Sequence, residues 1–205
     1  MFVFACISPH PPLILPSVGS PADREKVKST IKALELLAPK LAKTKPEIII
    51  ISSPHPDWGF EVPLHFLVKN HSFEIKPILT DLESPKVHFE RGKEFIRSLP
   101  RATRGAWIAS GDMSHRLKED GPYGFHPSGP EFDQEFIRLL KAKDIQGILN
   151  LNPELIEGAG ECGLRSFCML LGALEASKIK WEPEILSYEG PFGVGYLVTQ
   201  FIING

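Results

Sequence analysis

The chain has 205 residues, of which 42% are apolar and 23% charged, proportions that suit a folded domain and exclude a disordered chain. Basic and acidic residues number 23 and 25, a formal net charge of −2, which gives no electrostatic footing for nucleic acid or an anionic membrane surface. No apolar run approaches the ~20 residues needed to span a bilayer, so no membrane partner is expected.

The first run, Phe2 to Ser8, is strand-like and stops at Pro9. It carries no Lys or Arg ahead of it and does not read as a signal peptide. Cys6, Cys162 and Cys168 make no CxxC pair and no even framework. A cytoplasmic, reducing location is expected. The 19 prolines and 17 glycines are spread along the chain as punctuation between elements.

Ser20-Pro21-Ala22-Asp23 predicts a helix start, with Ser20 as cap and Asp23 suited to the dipole. Val27, Ile31, Leu34, Leu37 and Leu41 follow at helical spacing. Glu47 to Ser52 is apolar on both faces, as a central strand under helices would be. The opening is therefore β-α-β, with parallel strands. Leu64 to Lys69 and Phe73 to Leu79 read as two further strands separated by Asn70-His71-Ser72. Val87 to Leu99 reads as a helix and Ala106 to Ser110 as a short buried strand. Ser128 to Glu131 has the spacing of a capping box before a helix carrying Phe132, Phe136, Leu139 and Leu140. Ile145 to Leu149 adds a helical turn. Gly158-Ala159-Gly160 opens a helix to about Ala176, and Glu184 to Tyr188 and Gly195 to Ile203 close the chain as strands. The alternation predicts a three-layer α/β/α fold over residues 1–205, one domain around a mostly parallel or mixed sheet.

Three histidines share one kind of address. His10, His55 and His115 each follow a predicted strand, in loops dense with Pro, Gly and Ser. Ligands of open α/β sheets bind at the carboxyl ends of strands, so three imidazoles can converge there. Prolines stiffen the first two loops, which suits a preorganised metal site. Glu161 is the best carboxylate partner, at an expected helix N-terminus between glycines. Two His and one carboxylate on one side of a metal form the facial triad of non-haem Fe(II) sites, and the remaining His is free for acid/base work. Spacing alone does not say which His is the base. Asp112 reads as a loop-capping or supporting residue. Arg165 pairs with Glu161, holds an anionic substrate, or is solvated. Cys162 and Cys168 read as core packing, and His65, His71, His88 and His126 as bland.

The motifs His10-Pro11-Pro12-Leu13, Ser53-Pro54-His55-Pro56, Ser110-Gly111-Asp112-Met113-Ser114-His115-Arg116 and Gly160-Glu161-Cys162-Gly163 resemble, in order and spacing, the class III extradiol ring-cleavage dioxygenases of the LigB type. The ending Tyr188-Glu189-Gly190-Pro191-Phe192-Gly193-Val194-Gly195-Tyr196 is similar to one subgroup, found fused to or encoded beside an AMMECR1 domain and related to Memo proteins. The resemblance implies a LigB-like domain with non-haem Fe(II) held by His10, His55 and Glu161, and His115 as acid/base. It implies insertion of both atoms of O2 beside the two hydroxyls of a small aromatic diol. Zn(II) suits the same ligand types. The partners this implies are the diol, O2, and a second subunit or AMMECR1-type protein, with homo-oligomerisation expected. Two other readings remain open here: a Zn(II)-dependent hydrolase, and a non-catalytic Memo-like partner protein.

Overall fold

The computed structural model describes residues 2–68, 73–100 and 102–204. Its strands are β1 (Phe2–Ser8), β2 (Ile48–Ser53), β3 (Glu74–Leu79), β4 (Gly105–Ser110), β5 (Lys180–Glu189) and β6 (Tyr196–Asn204). They form one mixed sheet in the order β3-β2-β4-β1-β6-β5. β4 lies between β1 and β2 and runs parallel to both, and β3 runs parallel to β2. β6 is antiparallel to β1 and to β5, with which it forms a hairpin. The predicted opening β-α-β is thus parallel, but its two strands are separated by a later one.

The helices are α1 (Pro21–Lys26), α2 (Lys28–Thr44), α3 (Trp58–Leu67), α4 (Pro85–Ser98), α5 (Ser128–Ala142), α6 (Ile145–Leu149), α7 (Pro153–Ala159) and α8 (Leu164–Ser177). Two apolar clusters cover the two faces of the sheet. Ile49 and Ile51 of β2 join Leu34, Leu37 and Leu41 of α2 and Val62 and Phe66 of α3. Ile48 and Ile50 point the other way and join Phe89 of α4, Phe132 and Phe136 of α5 and Leu170 of α8. A strand that feeds two cores by alternation must be apolar at every position, which is why Ile48 to Ile51 reads as an unbroken run. The fold is the expected three-layer α/β/α. Among the described residues, no helix is long and apolar enough to cross a membrane.

The capping box at Ser20 forms. Its hydroxyl accepts the Asp23 N–H at 3.1 Å, and the Asp23 carboxylate accepts the Ser20 N–H at 3.2 Å. Three local expectations fail. Leu64 to Leu67 is the end of α3, not a strand. In so short an apolar run, periods of 2 and 3.6 fit equally well, and burial of Gly59, Val62, Pro63 and Phe66 settles the helical one. Lys69 and Asn70-His71-Ser72 lie outside the described residues. Ser128 is the first residue of α5 rather than its cap. Pro127 precedes it in a helical conformation, and His126 Nδ1 accepts the Ser128 N–H. The segment after Gly158 is not one helix. α7 ends at Ala159, Gly160 takes a left-handed φ of 62°, and α8 begins only at Leu164. Glu161, Cys162 and Gly163 therefore occupy a turn.

Candidate active site

β1, β4 and β2 are parallel neighbours, so their carboxyl ends share one edge of the sheet. His10 and His55 each stand two residues beyond such an end, and His115 stands five beyond.

His10 is buried and its ring is set by a chain of bonds that starts in α3. Pro63 has no N–H to offer the Gly59 carbonyl four residues back. The Ser110 hydroxyl takes that carbonyl instead, at 2.5 Å. With its proton committed, Ser110 Oγ accepts from His10 Nδ1–H at 2.9 Å. This fixes the tautomer and leaves the Nε2 lone pair free, the form in which imidazole binds a metal. Burial, and next the nearby His55, push His10 down to about 3, so its ring is neutral at physiological pH. The His10 backbone N–H donates to Asp112 Oδ1 at 2.9 Å.

The His55 ring meets the His10 ring edge-on, with centroids 5.2 Å apart. His10, His55 and Cys162 each offer one donor atom, and these lie within 4.8 Å of one another. Asp112, His115 and Cys162 form a second such group, so Cys162 joins the two. Its Sγ lies 3.5 Å from His10 Nε2 and accepts the Asp112 N–H at 3.3 Å. The Glu161–Gly163 turn is pressed onto the loop after β4, where Gly163 N–H donates to the Asp112 carbonyl at 3.0 Å. A Cβ on Gly111 would stand 2.2 Å from Gly163 Cα, so the approach that delivers Cys162 requires glycine there.

His115 is fixed through its backbone N–H, which donates to the Ala159 carbonyl at 3.1 Å. Its ring stacks on Tyr123 at 5.0 Å, and its Nε2 is buried without a hydrogen-bond partner. Burial lowers its basicity, and the Asp112 carboxylate partly restores it. The loop beneath is anchored by buried Asp133 of α5, which accepts the Ser114 N–H at 2.8 Å and the Tyr188 O–H at 2.6 Å. Burial pushes Asp133 up to about 6, and Asp112 likewise to about 6.

The structure therefore brings together four of the six sequence candidates: His10, His55, Asp112 and His115. Glu161 is adjacent in sequence but differently employed. Its carboxylate accepts the Leu164 N–H at 2.6 Å at the start of α8 and meets Arg165 at 3.3 Å. Burial pushes it up to about 7 against those two partners. Arg165 also donates to the Glu83 carbonyl at 3.0 Å. Both line a cavity of about 670 Å³ that includes none of the three histidines. The donors and this cavity do not coincide, and the convergence of donors is what marks the site. His88 accepts the Asp81 N–H and His126 the Ser128 N–H, so both serve local structure.

Three contributors were not visible as such in the sequence. Cys162 reads as core when a helix is drawn through it; the flanking glycines were the signal for a turn. Asp133 sits three residues before Phe136 in the apolar stripe of α5, an acid where burial is expected. Tyr123 carries no sequence signal.

The residues fit a metal ion. A neutral imidazole presents a bare lone pair beside a thiol and a second imidazole, and a further buried imidazole nitrogen has no partner.

Residues 55–199 match the family model described as the catalytic LigB subunit of aromatic ring-opening dioxygenase. Protein CA_C1420 of Clostridium acetobutylicum is 31% identical over 267 residues, covering 94% of this chain and 56% of its own length. The chain thus spans a little over half of that relative. The solved structure of uncharacterized protein JW3007 from Escherichia coli K12 superposes with a TM-score of 0.60 at 14% identity, covering 97% of this chain and 99% of that one. That likeness is one of fold. By the match over most of its length, and with its histidines gathered at one edge of the sheet, this chain belongs to the family of catalytic LigB subunits of aromatic ring-opening dioxygenases.

Proposed function

We propose that the chain is a metal-dependent dioxygenase that opens a small aromatic diol by the extradiol route. The observation that carries this reading is the convergence of His10, His55 and Cys162 with His115 beside them, in a chain of this family. We assign His10 and His55 as ligands to Fe(II). The third ligand comes from the Glu161–Gly163 turn. Family resemblance favours Glu161; geometry favours Cys162, because Sγ already stands 3.5 Å from His10 Nε2 while Glu161 is held by Leu164 and Arg165. When bound, the metal would supply positive charge that acidifies a diol hydroxyl and a meeting place for diol and O2.

The protein's own groups then do the following. His115 enters neutral, because burial disfavours its charged form. Its unpartnered Nε2 takes a proton from a substrate hydroxyl, and Asp112 favours the imidazolium that results. The same nitrogen returns the proton as the ring opens. The carbon–carbon bond beside the diol breaks and both oxygen atoms enter the product, so no outside reductant is required.

A second reading has one observation behind it. A cysteine sulfur with two imidazoles is also a good Zn(II) set, and water activated there would hydrolyse a substrate.

The test is anaerobic loading with Fe(II), addition of 4-nitrocatechol or catechol, then admission of O2. The reading expects a perturbed catechol spectrum and a yellow ring-opened product, with His115→Ala slower by about 10²–10⁴-fold. Metal binding without any catechol response would favour the Zn(II) reading. Full activity in His115→Ala would remove the assigned base.

A further inference from the structure

We propose that Tyr123 is the positioning residue for His115, holding the imidazole by its face so that Nε2 stays aimed at substrate. The proposal rests on the acid/base role assigned to His115 above, but its core is a statement about ring geometry.

An acid/base histidine is ordinarily oriented by a hydrogen bond on its second ring nitrogen. Here, among the described residues, no group hydrogen-bonds either nitrogen of the His115 ring, and Nε2 is buried without a partner. The ring contact that does exist is with Tyr123, at 5.0 Å between centroids and 28° between planes. An aromatic pair of this kind biases one rotamer by roughly several-fold.

Tyr123 is also an electrostatic neighbour of buried Tyr196. The Tyr123 side chain is 61% exposed, and no hydrogen bond of its hydroxyl is present among the described residues. The loop that presents it is also pinned. Leu117 bridges Phe125 across the loop, and Leu117 N–H donates to the Gly193 carbonyl at 3.0 Å. Lys118 Nζ donates to the Pro191 carbonyl at 2.8 Å, and His126 N–H to the Arg116 carbonyl at 3.1 Å. Tyr123 is thus a fixed platform tied to the β5–β6 hairpin, and a fixed platform is what a positioned base needs.

The experiment compares Tyr123→Phe, which keeps the stack, with Tyr123→Leu, which keeps bulk without a ring. The first readout needs neither metal nor substrate. In histidine-labelled protein, the His115 imidazole protons should show a ring-current shift that persists in Tyr123→Phe and disappears in Tyr123→Leu. The second readout is turnover of catechol by the Fe(II)-loaded protein. Tyr123→Leu should lose about tenfold in kcat with KM changed little, and Tyr123→Phe should stay within about threefold. An unchanged His115 signal in Tyr123→Leu overturns the proposal whatever the activity. Equal kcat in the two variants overturns it as well. If the wild type shows no catechol chemistry, the dioxygenase reading fails, and the imidazole signal alone decides whether Tyr123 positions His115.

Discussion

At the scale of single residues, the site turns on the His10 Nε2 lone pair, since the ring's proton is directed to Ser110. The Pro63, Gly59, Ser110 and His10 relay is the cause, since a missing N–H in one helix fixes the tautomer of a histidine two elements away. Ser110→Ala removes the acceptor for Nδ1–H and frees the other tautomer. Metal affinity should fall by about 10–100-fold while the fold persists, as measured by competition with a chromophoric chelator. Unchanged affinity would mean that the relay does not matter. The identity of the third ligand is also a question of one residue. Cys162→Ser should weaken metal binding more than Glu161→Gln does, and the reverse order in the same titration would restore the carboxylate triad. Both positions were readable as a motif. Their division of labour was not, because it depends on which side of a three-residue turn each side chain leaves.

At the scale of elements, what brings the donors together is close backbone approach. The loop after β4 and the turn before α8 touch at Gly111 and Gly163. Gly111→Ala would put a Cβ 2.2 Å from Gly163 Cα, with backbone on both sides and no flexible tip to yield. It should cost about 1–3 kcal/mol in urea unfolding and weaken metal binding at the same time. Normal stability and normal binding together would show that the two segments separate freely. Elsewhere, elements were legible where one period dominated. Leu34, Leu37 and Leu41 could only be helical, and Ile48 to Ile51 could only be a strand buried on both faces. Leu64 to Leu67 was not legible, because four residues fit either period and the deciding contacts come from β2 and α2. The pairing of β4 between β1 and β2 was not legible either, since strand order rests on contacts between residues more than 50 positions apart.

At the scale of the whole molecule, three carboxyl groups are buried around one edge of the sheet: Asp112, Asp133 and Glu161. Asp133 bears on stability most cleanly, because it lies outside both donor groups. Burial raises it from 3.8 to about 6. Between those values the folded protein keeps a proton that the unfolded chain has lost, so this group makes the fold less stable as pH rises. Asp133→Asn removes that dependence. The stability of the variant relative to wild type should improve by on the order of 2 kcal/mol from pH 4 to pH 7, read from urea unfolding at each pH. A difference independent of pH would show that Asp133 is ionised throughout.

The most direct test of the central claim, that His10, His55 and Cys162 close around one metal ion, is a Co(II) titration of the metal-free protein under anaerobic conditions. Saturation is expected at about one ion per chain with a sulfur-to-cobalt charge-transfer band, lost in Cys162→Ser, and no tight binding in His10→Ala. Absence of saturable binding in the wild type, or an identical band in Cys162→Ser, would contradict it.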